Sequence, residues 1–301
     1  MDQISRIGIF IAVVKNASFA GAARDLGITS SAVSKQIQNL EHELQVKLLN
    51  RTTRKVSVTE EGAIFFDRAG RALDDIQEAQ EHIQERKACP SGSLKISLPL
   101  SFGLQYLGAA ITSFALQYPE VELDVSFDDR IVDIIGDGYD LSVRIANLKN
   151  STLIARRLAS CPIILCASPS YIQKHGAPTH PRELAAHNVQ AYTHHTGPHE
   201  WRYKDPNGKE GHVSLKGSFK SNSGDMLCAA GLAGIGIAIL PVFYVAEHLE
   251  KGDLIPLLQG YETWPNRDIQ AVFLPNRYIS TRLRLFVDHL TKTCQSLPWE
   301  A

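Results

Sequence analysis

Cysteine is sparse in this 301-residue chain and falls in no pattern that implies chemistry. Cys89, Cys161, Cys166, Cys228 and Cys294 are odd in number and form no CxxC pair. That spacing argues against a zinc cage and a disulfide framework, so the thiols read as reduced. Long apolar runs are missing too, since none approaches the roughly 18–20 residues that span a bilayer. No basic segment followed by an apolar one opens the chain, which makes the cytoplasm the expected compartment and a membrane partner unexpected. Net charge is nearly absent, at -1, so the total points to no class of partner.

Catalytic signatures are equally scarce. No GxSxG elbow occurs, and no Ser/His/Asp set can be assembled from spacing. Gly231, Gly234 and Gly236 precede a strand instead of following one, so they are not a dinucleotide fingerprint. His194, His195 and His199 lack an acidic partner at a familiar spacing, which favours a solvated loop over a metal site. These residues imply no enzyme, no metal and no cofactor.

Apolar residues, in contrast, make up 44% of the chain against 21% charged, enough for two or three compact units. Charge is balanced overall but uneven along the sequence. Residues 1–60 hold eight Lys/Arg against five Asp/Glu, whereas residues 61–88 hold four against seven. Local charge sets the field that a phosphate backbone meets.

Ile4, Ile7, Ile11 and Val14 recur at 3-4-3 spacing and predict the apolar stripe of a first helix. Ser18 is placed to cap a short second helix that buries Phe19, Ala22, Ala23 and Leu26. Gly27 supplies the positive φ of a tight turn. A third helix is predicted from about Ser30, with Val33, Ile37, Leu40 and Leu44 on one face. Its other face offers Thr29, Ser30, Ser31, Ser34, Lys35 and Gln38, side chains suited to base edges and phosphates. A cap on a solvated helix is the plainer alternative. The next segment favours a helix-turn-helix, because Leu48–Thr59 reads as two short strands around a turn. Arg51, Arg54 and Lys55 at that tip make a wing able to grip phosphates.

Thr59, followed by Glu60-Glu61, caps a long helix in which Phe65, Ala69, Ala72, Ile76, Ala79 and Ile83 recur at 4-3-4-3-4 spacing. Such a seam suits pairing with a second copy of the helix, packing on its own domain being the alternative. Cys89-Pro90-Ser91-Gly92 then breaks the helix as a hinge. Beyond it, Leu94, Ile96 and Leu98 predict a strand, and Leu104, Leu107, Ile111 and Phe114 the inner face of a helix. A strand at 121–127 follows, then a short helix with Ile131, Ile134 and Ile135, then a strand at 141–145. This alternation predicts a largely parallel sheet. A second α/β series begins near Cys161, with strands at 163–165 and 189–192. It continues through a hairpin around Asp205-Pro206-Asn207-Gly208, a helix from near Ser223, and strands at 235–240 and 269–274. A last helix carries Leu283, Phe286, Val287 and Leu290.

Several of these residues match a known pattern in order and spacing. Phe19, Ala22-Ala23, Leu26, Ile28, Ser30-Ser31-Ala32-Val33-Ser34, Ile37, Leu40-Glu41, Leu44, Leu48-Leu49-Asn50-Arg51 and Thr59-Glu60-Glu61-Gly62 resemble the DNA-binding domain of LysR-type transcriptional regulators. Leu49 departs from the Phe common there. Residues 97–103, 138–145 and 234–241 are similar to the sensing domain of the same family, so the resemblance covers essentially the whole chain.

The resemblance implies a winged helix-turn-helix at 1–59, a linker dimerisation helix at 60–88 and a hinge at 89–92. An α/β sensing domain of two lobes, like a periplasmic-binding protein, would follow. Lobe I would hold 93–160 and 265–301, and lobe II 161–264, with crossings near Ser160 and Pro265. The implied function is a transcription regulator that binds double-stranded DNA at an interrupted inverted repeat. It would act as a homodimer, assemble further into a homotetramer, and respond to a small-molecule effector between the lobes. Ser30, Ser31, Ser34 and Lys35 would face the major groove, with Arg51, Arg54 and Lys55 on phosphates.

For the effector, Pro99, Leu100, Ser101 and Phe102 lie where a strand feeds a helix N-terminus, a place that favours an anion. Arg144 would counter an acidic ligand. Ser101 as a helix cap and Arg144 in a structural ion pair are equal alternatives. Thr193, His194, Ser221, Asn222 and Ser223 would form the opposite wall. The rival for the whole chain is a cytoplasmic solute-binding protein with the same two lobes, against which residues 1–60 speak.

Overall fold

A computed structural model describes residues 3–51, 56–83, 90–130, 132–146, 153–193, 199–275 and 279–300. The chain folds as two units. The first reaches to Leu94 and takes in Tyr118–Glu122 and Ser280–Arg282, and the second holds the remainder.

In the first unit, α1 (Gln3–Asn16) ends at Ala17, whose φ is +47°. Helix α2 (Phe19–Asp25) is capped by Ser18, whose hydroxyl accepts the Gly21 N–H at 3.2 Å. Gly27, at φ +65°, turns the chain into α3 (Ser30–Leu44). Strands β1 (Leu49–Arg51) and β2 (Val56–Val58) pair antiparallel, Leu49 opposite Val58 and Arg51 opposite Val56. Helix α4 (Glu60–Ile83) is capped by Thr59, whose hydroxyl accepts the Gly62 N–H at 2.9 Å.

The core of this unit gathers Phe10, Val13, Ala22, Val33, Ile37, Leu40 and Leu48. Burying each large side chain contributes about 1.5–3 kcal/mol. An exposed ion pair such as Arg6 with Glu43 contributes about 1 kcal/mol or less, so packing holds the unit together. Two expectations are corrected. The most buried stripe of α1 is Ile9, Phe10 and Val13, with Ile7, Ile11 and Val14 on its flanks, because this helix is apolar on more than one face. Leu26 is exposed, since it lies past the end of α2 where the chain turns. On α4, Phe65 stands 5.6 Å from Phe10 and Ala69 is buried, whereas Ile76 is 40% exposed. Among the described residues no single helix is long and apolar enough to cross a membrane.

The next elements are β3 (Gly92–Leu98), α5 (Leu100–Phe102), a π-helical turn (Gly103–Leu107), α6 (Gly108–Gln117), β4 (Val121–Phe127), β5 (Leu141–Ala146) and β6 (Ile154–Ser160). Then follow β7 (Ile163–Ala167), α7 (Pro169–His175), β8 (Ala191–Tyr192), β9 (Glu200–Lys204), β10 (Glu210–Ser214), β11 (Lys220–Ser221) and α8 (Gly224–Leu232). The series closes with β12 (Ala238–Pro241), α9 (Val242–Lys251), β13 (Ile255–Pro256), β14 (Glu262–Thr263), β15 (Asp268–Phe273) and α10 (Thr281–Cys294).

One sheet has the order β4-β3-β5-β15-β6. Strands β3 and β5 are parallel, but β15 runs antiparallel to both β5 and β6, so the sheet is mixed and not largely parallel. The reason lies at the crossover. Strand β6 leaves for the other lobe, β15 returns from it, and the two pair with Ser160 opposite Asp268. The other lobe carries antiparallel sheets ordered β12-β7-β13 and β10-β9-β14, with β11 and β8 parallel.

Two local expectations also change. Leu104 is 57% exposed while Leu107 and Phe114 are buried, because the π turn shifts the register of the helix. Residues 134–138 form turns and residues 132–138 no helix, Ile134 being buried and Ile135 exposed, with Ile131 outside the described residues. The Asp133 carboxylate accepts the Ile135 N–H and Asp137 accepts the Asp133 N–H, local bonds that compete with a helix.

Candidate DNA-binding face and effector cleft

Thr29 starts α3, its hydroxyl accepting the Ala32 N–H at 3.2 Å. That bond makes Thr29, the first residue of the predicted polar face, the helix cap. Ser30, Ser31, Lys35 and Gln38 are exposed and Ser34 is half-buried, on the side of α3 opposite Val33, Ile37 and Leu40. The Ser31 hydroxyl stands 3.0 Å from that of Thr29. Arg51 lies on the backbone of β1, one strand of the wing. Arg54 and Lys55 fall outside the described residues.

The residue that fixes this face was not singled out for a role in the sequence. Glu41 is buried, and its carboxylate accepts the N–H groups of Leu48 at 3.0 Å and Leu49 at 3.1 Å. Lys47 adds its ammonium at 3.0 Å. Burial, the largest influence, raises the Glu41 pKa, but the Lys47 and backbone hydrogen bonds together outweigh it and hold the carboxyl below its usual range. Gly62 completes the joint, because a Cβ there would stand 2.0 Å from the Leu48 carbonyl oxygen.

In the second unit the two lobes meet at a hydrogen bond from the Ser101 hydroxyl to Asp225 Oδ2, at 2.5 Å. Ser101 is buried at the start of α5, beside the buried Phe102, with Pro99 half-buried and Leu100 exposed. The Leu100 N–H is taken by Asp129 Oδ1 at 3.0 Å. The position expected for an external anion therefore holds the chain's own carboxylate. Arg144 turns elsewhere, donating to the Val132 carbonyl at 2.6 Å within lobe I.

On the opposite wall, Thr193 donates its N–H to the Ser221 carbonyl at 2.9 Å, and the Ser221 hydroxyl accepts the Ser223 N–H at 3.0 Å. Ser223 caps α8 through the Met226 N–H at 3.3 Å, so it is a structural cap as well as a wall residue. Asn222 is exposed, and His194 lies outside the described residues. Two tyrosines not foreseen as site residues complete the cleft. Burial lifts the Tyr244 pKa well above the ordinary range, Ser101 opposing and Asp129 and Asp225 adding to the rise. Burial also pushes Tyr192 up to about 12, Asp129 reinforcing and Arg267 opposing. Gly224 admits the Tyr244 ring, since a Cβ there would stand 2.1 Å from it. Asp129 was findable in principle, because it follows a strand at the edge where open α/β sheets bind ligands. Among the described residues no three His, Cys, Asp or Glu side chains are grouped to hold a metal ion.

A winged helix-turn-helix followed by a two-lobed α/β unit defines a ligand-responsive DNA-binding protein. Residues 4–63 match the family model of the bacterial regulatory helix-turn-helix protein, lysR family, and residues 87–295 match that of the LysR substrate binding domain. The chain belongs to the LysR family of transcriptional regulators. It is 36% identical over 292 residues to the HTH-type transcriptional regulator YhjC of Escherichia coli (strain K12), covering 96% of this chain and 97% of that protein. Identity to the HTH-type transcriptional regulator DmlR of the same strain is 34% over 291 residues, covering 96% and 94%. The solved structure of CrgA, a LysR-type regulator from Neisseria meningitidis, superposes with a TM-score of 0.60 at 32% identity, covering 98% and 99%. The chain is thus a DNA-binding regulator of transcription with a domain for a small-molecule effector.

Proposed function

We propose that this regulator reads an interrupted inverted repeat as a homodimer. The α3 face carries the reading. Ser30, Ser31, Ser34 and Lys35 enter the major groove, while Arg51, Arg54 and Lys55 hold the flanking phosphates. What supports this is the Thr29 cap, which uses a neighbouring hydroxyl and leaves Ser30, Ser31 and Lys35 exposed at the end of the helix that a groove would meet.

The working division is a DNA-binding domain at 1–59, a linker helix at 60–88, a hinge at 89–92, lobe I at 93–160 with 265–301, and lobe II at 161–264. Pairing runs through the linker helix, whose Ile76 and Ala72 are exposed, and two dimers form a tetramer in the cytoplasm. An effector seated between the lobes, near Ser101, Ser221 and Ser223, changes how the lobes pack and so the bend imposed on DNA. It shifts that balance only by its differential affinity for the two arrangements. No step of this reading needs catalysis.

The test is mobility shift and footprinting on the DNA upstream of the regulator's own gene at two salt concentrations. A protected, dyad-symmetric, salt-sensitive site is expected. Loss of all binding to competitor DNA, with candidate effectors present as well as absent, would overturn the reading.

A further inference from the structure

Between the lobes, beside the Ser101–Asp225 bond, lies a cavity of about 250 Å³. Gln105 and Tyr106 of lobe I face Asp225, Phe243, Tyr244, Glu247 and His248 of lobe II across it. Its chemistry is one-sided. Three aromatic rings and two carboxylates line it, and no Lys or Arg among the described residues does. The nearest cation on α9, Lys251, is engaged by Glu247 at the surface.

The rings are fixed in place. Tyr106 stands edge-on to Phe243 at 6.5 Å and to Trp299 at 5.1 Å, and its hydroxyl donates to the Phe243 carbonyl at 3.1 Å. Phe243 and Tyr244 lie 4.3 Å apart. Asp225 receives the Ser101 hydroxyl on Oδ2 and lines the cavity, so a carboxylate charge stands at its wall. Aromatic faces attract cations through their quadrupole, and a carboxylate adds a charge-assisted hydrogen bond. A carboxylate ligand would instead meet Asp225 as a like charge, Glu247 being paired with Lys251.

We propose that this cavity takes an organic cation, an ammonium or guanidinium on a small aromatic or apolar body, and not an anion. This inference rests on reading the cleft between the lobes as the effector site.

Three probes sharing one ring separate the possibilities in calorimetric titrations of the full-length protein at neutral pH: benzylammonium, benzyl alcohol and benzoate. Benzylammonium is expected to bind at least about tenfold tighter than the other two. Asp225→Asn should erase most of that preference, and Gln105→Lys, an exposed change that puts a cation on the wall, should abolish benzylammonium binding. Glu210→Gln, on the hairpin of β9 and β10, should change nothing. Equal or tighter binding of benzoate or benzyl alcohol, no heat from any probe, or an unchanged preference in both lining variants would overturn the proposal. Parallel footprints keep the two readings apart. A benzoate that bound and moved the footprint would leave the effector site standing and remove the cation. Benzylammonium that bound with the expected preference but left the footprint unmoved would uphold the ligand class and remove its effector role.

Discussion

The Glu41 carboxylate accepts the Leu48 backbone N–H at 3.0 Å, joining the end of the recognition helix to the start of the wing. The same oxygen takes the Leu49 N–H at 3.1 Å, so one buried side chain satisfies two donors that no strand partner reaches.

Glu41→Ala therefore strands two buried N–H groups. With each unsatisfied donor costing about 1–3 kcal/mol, a loss of about 2–6 kcal/mol is expected, read as a lowered melting temperature of the helical signal. Glu41→Gln should recover part of it. The pH dependence has a definite sign. The folded carboxyl titrates below its ordinary value of 4.5, so its stabilisation is complete above that pH and disappears as pH falls through the lowered value. Wild-type protein should lose stability faster than Glu41→Gln across that acidic window, and parallel curves would refute the assignment.

Gly62→Ala tests the other half of the joint. Its Cβ would meet the Leu48 carbonyl oxygen, a backbone atom that cannot swing aside. Strain of about 1–3 kcal/mol is expected, with weakened operator binding. A variant that melted and bound like wild type would show that α4 tolerates a shift away from the wing.

Base-reading and phosphate-holding residues should separate by salt and by sequence. Arg54→Ala is expected to weaken binding to every DNA alike and to reduce the slope of log K against log salt by about 0.9. Lys35→Ala, on the exposed face of α3, should cost about 1–3 kcal/mol on the operator and relax preference at one base pair. Identical losses on operator and random DNA for Lys35→Ala would move that residue to the phosphates.

Thiol chemistry offers a quick check on the cores. Cys161, Cys166, Cys228 and Cys294 are buried, and burial raises Cys161, Cys166 and Cys294 to about 12 and Cys228 to about 11. In native protein these four should resist a thiol reagent at neutral pH. Rapid labelling of any of the four would mean that a core opens.

The helical half of the molecule was legible because its signals are local. Ser18, Gly27 and Thr59 act within three residues of where they stand, and the 4-3-4 pattern of α3 fixes its buried face. Helix α1 misled by abundance: with Ile7, Ile9, Phe10 and Ile11 within five residues, periodicity alone did not say which stripe is deepest. The sensing unit hid more, since its decisive contacts join residues far apart. Asp129 reaches back 29 residues to cap Leu100, and Ser101 meets Asp225 across 124. Sequence order fixed neither the antiparallel return of β15 nor the turn of Arg144 onto Val132, because both depend on neighbours that arrive from elsewhere in the chain.

Lys47, Leu48 and Leu49 sit where three parts meet. Glu41 of α3 holds two of their amides, the Thr59 hydroxyl at the start of α4 donates to the Lys47 carbonyl at 2.7 Å, and Gly62 of α4 abuts the Leu48 carbonyl. Recognition helix, wing and linker helix thus share one stiff coupling with little torsional play. In the proposed pairing of two linker helices, that coupling would dictate the angle at which each α3 leaves the pair. Tolerance for altered half-site spacing would then have to come from bending the DNA.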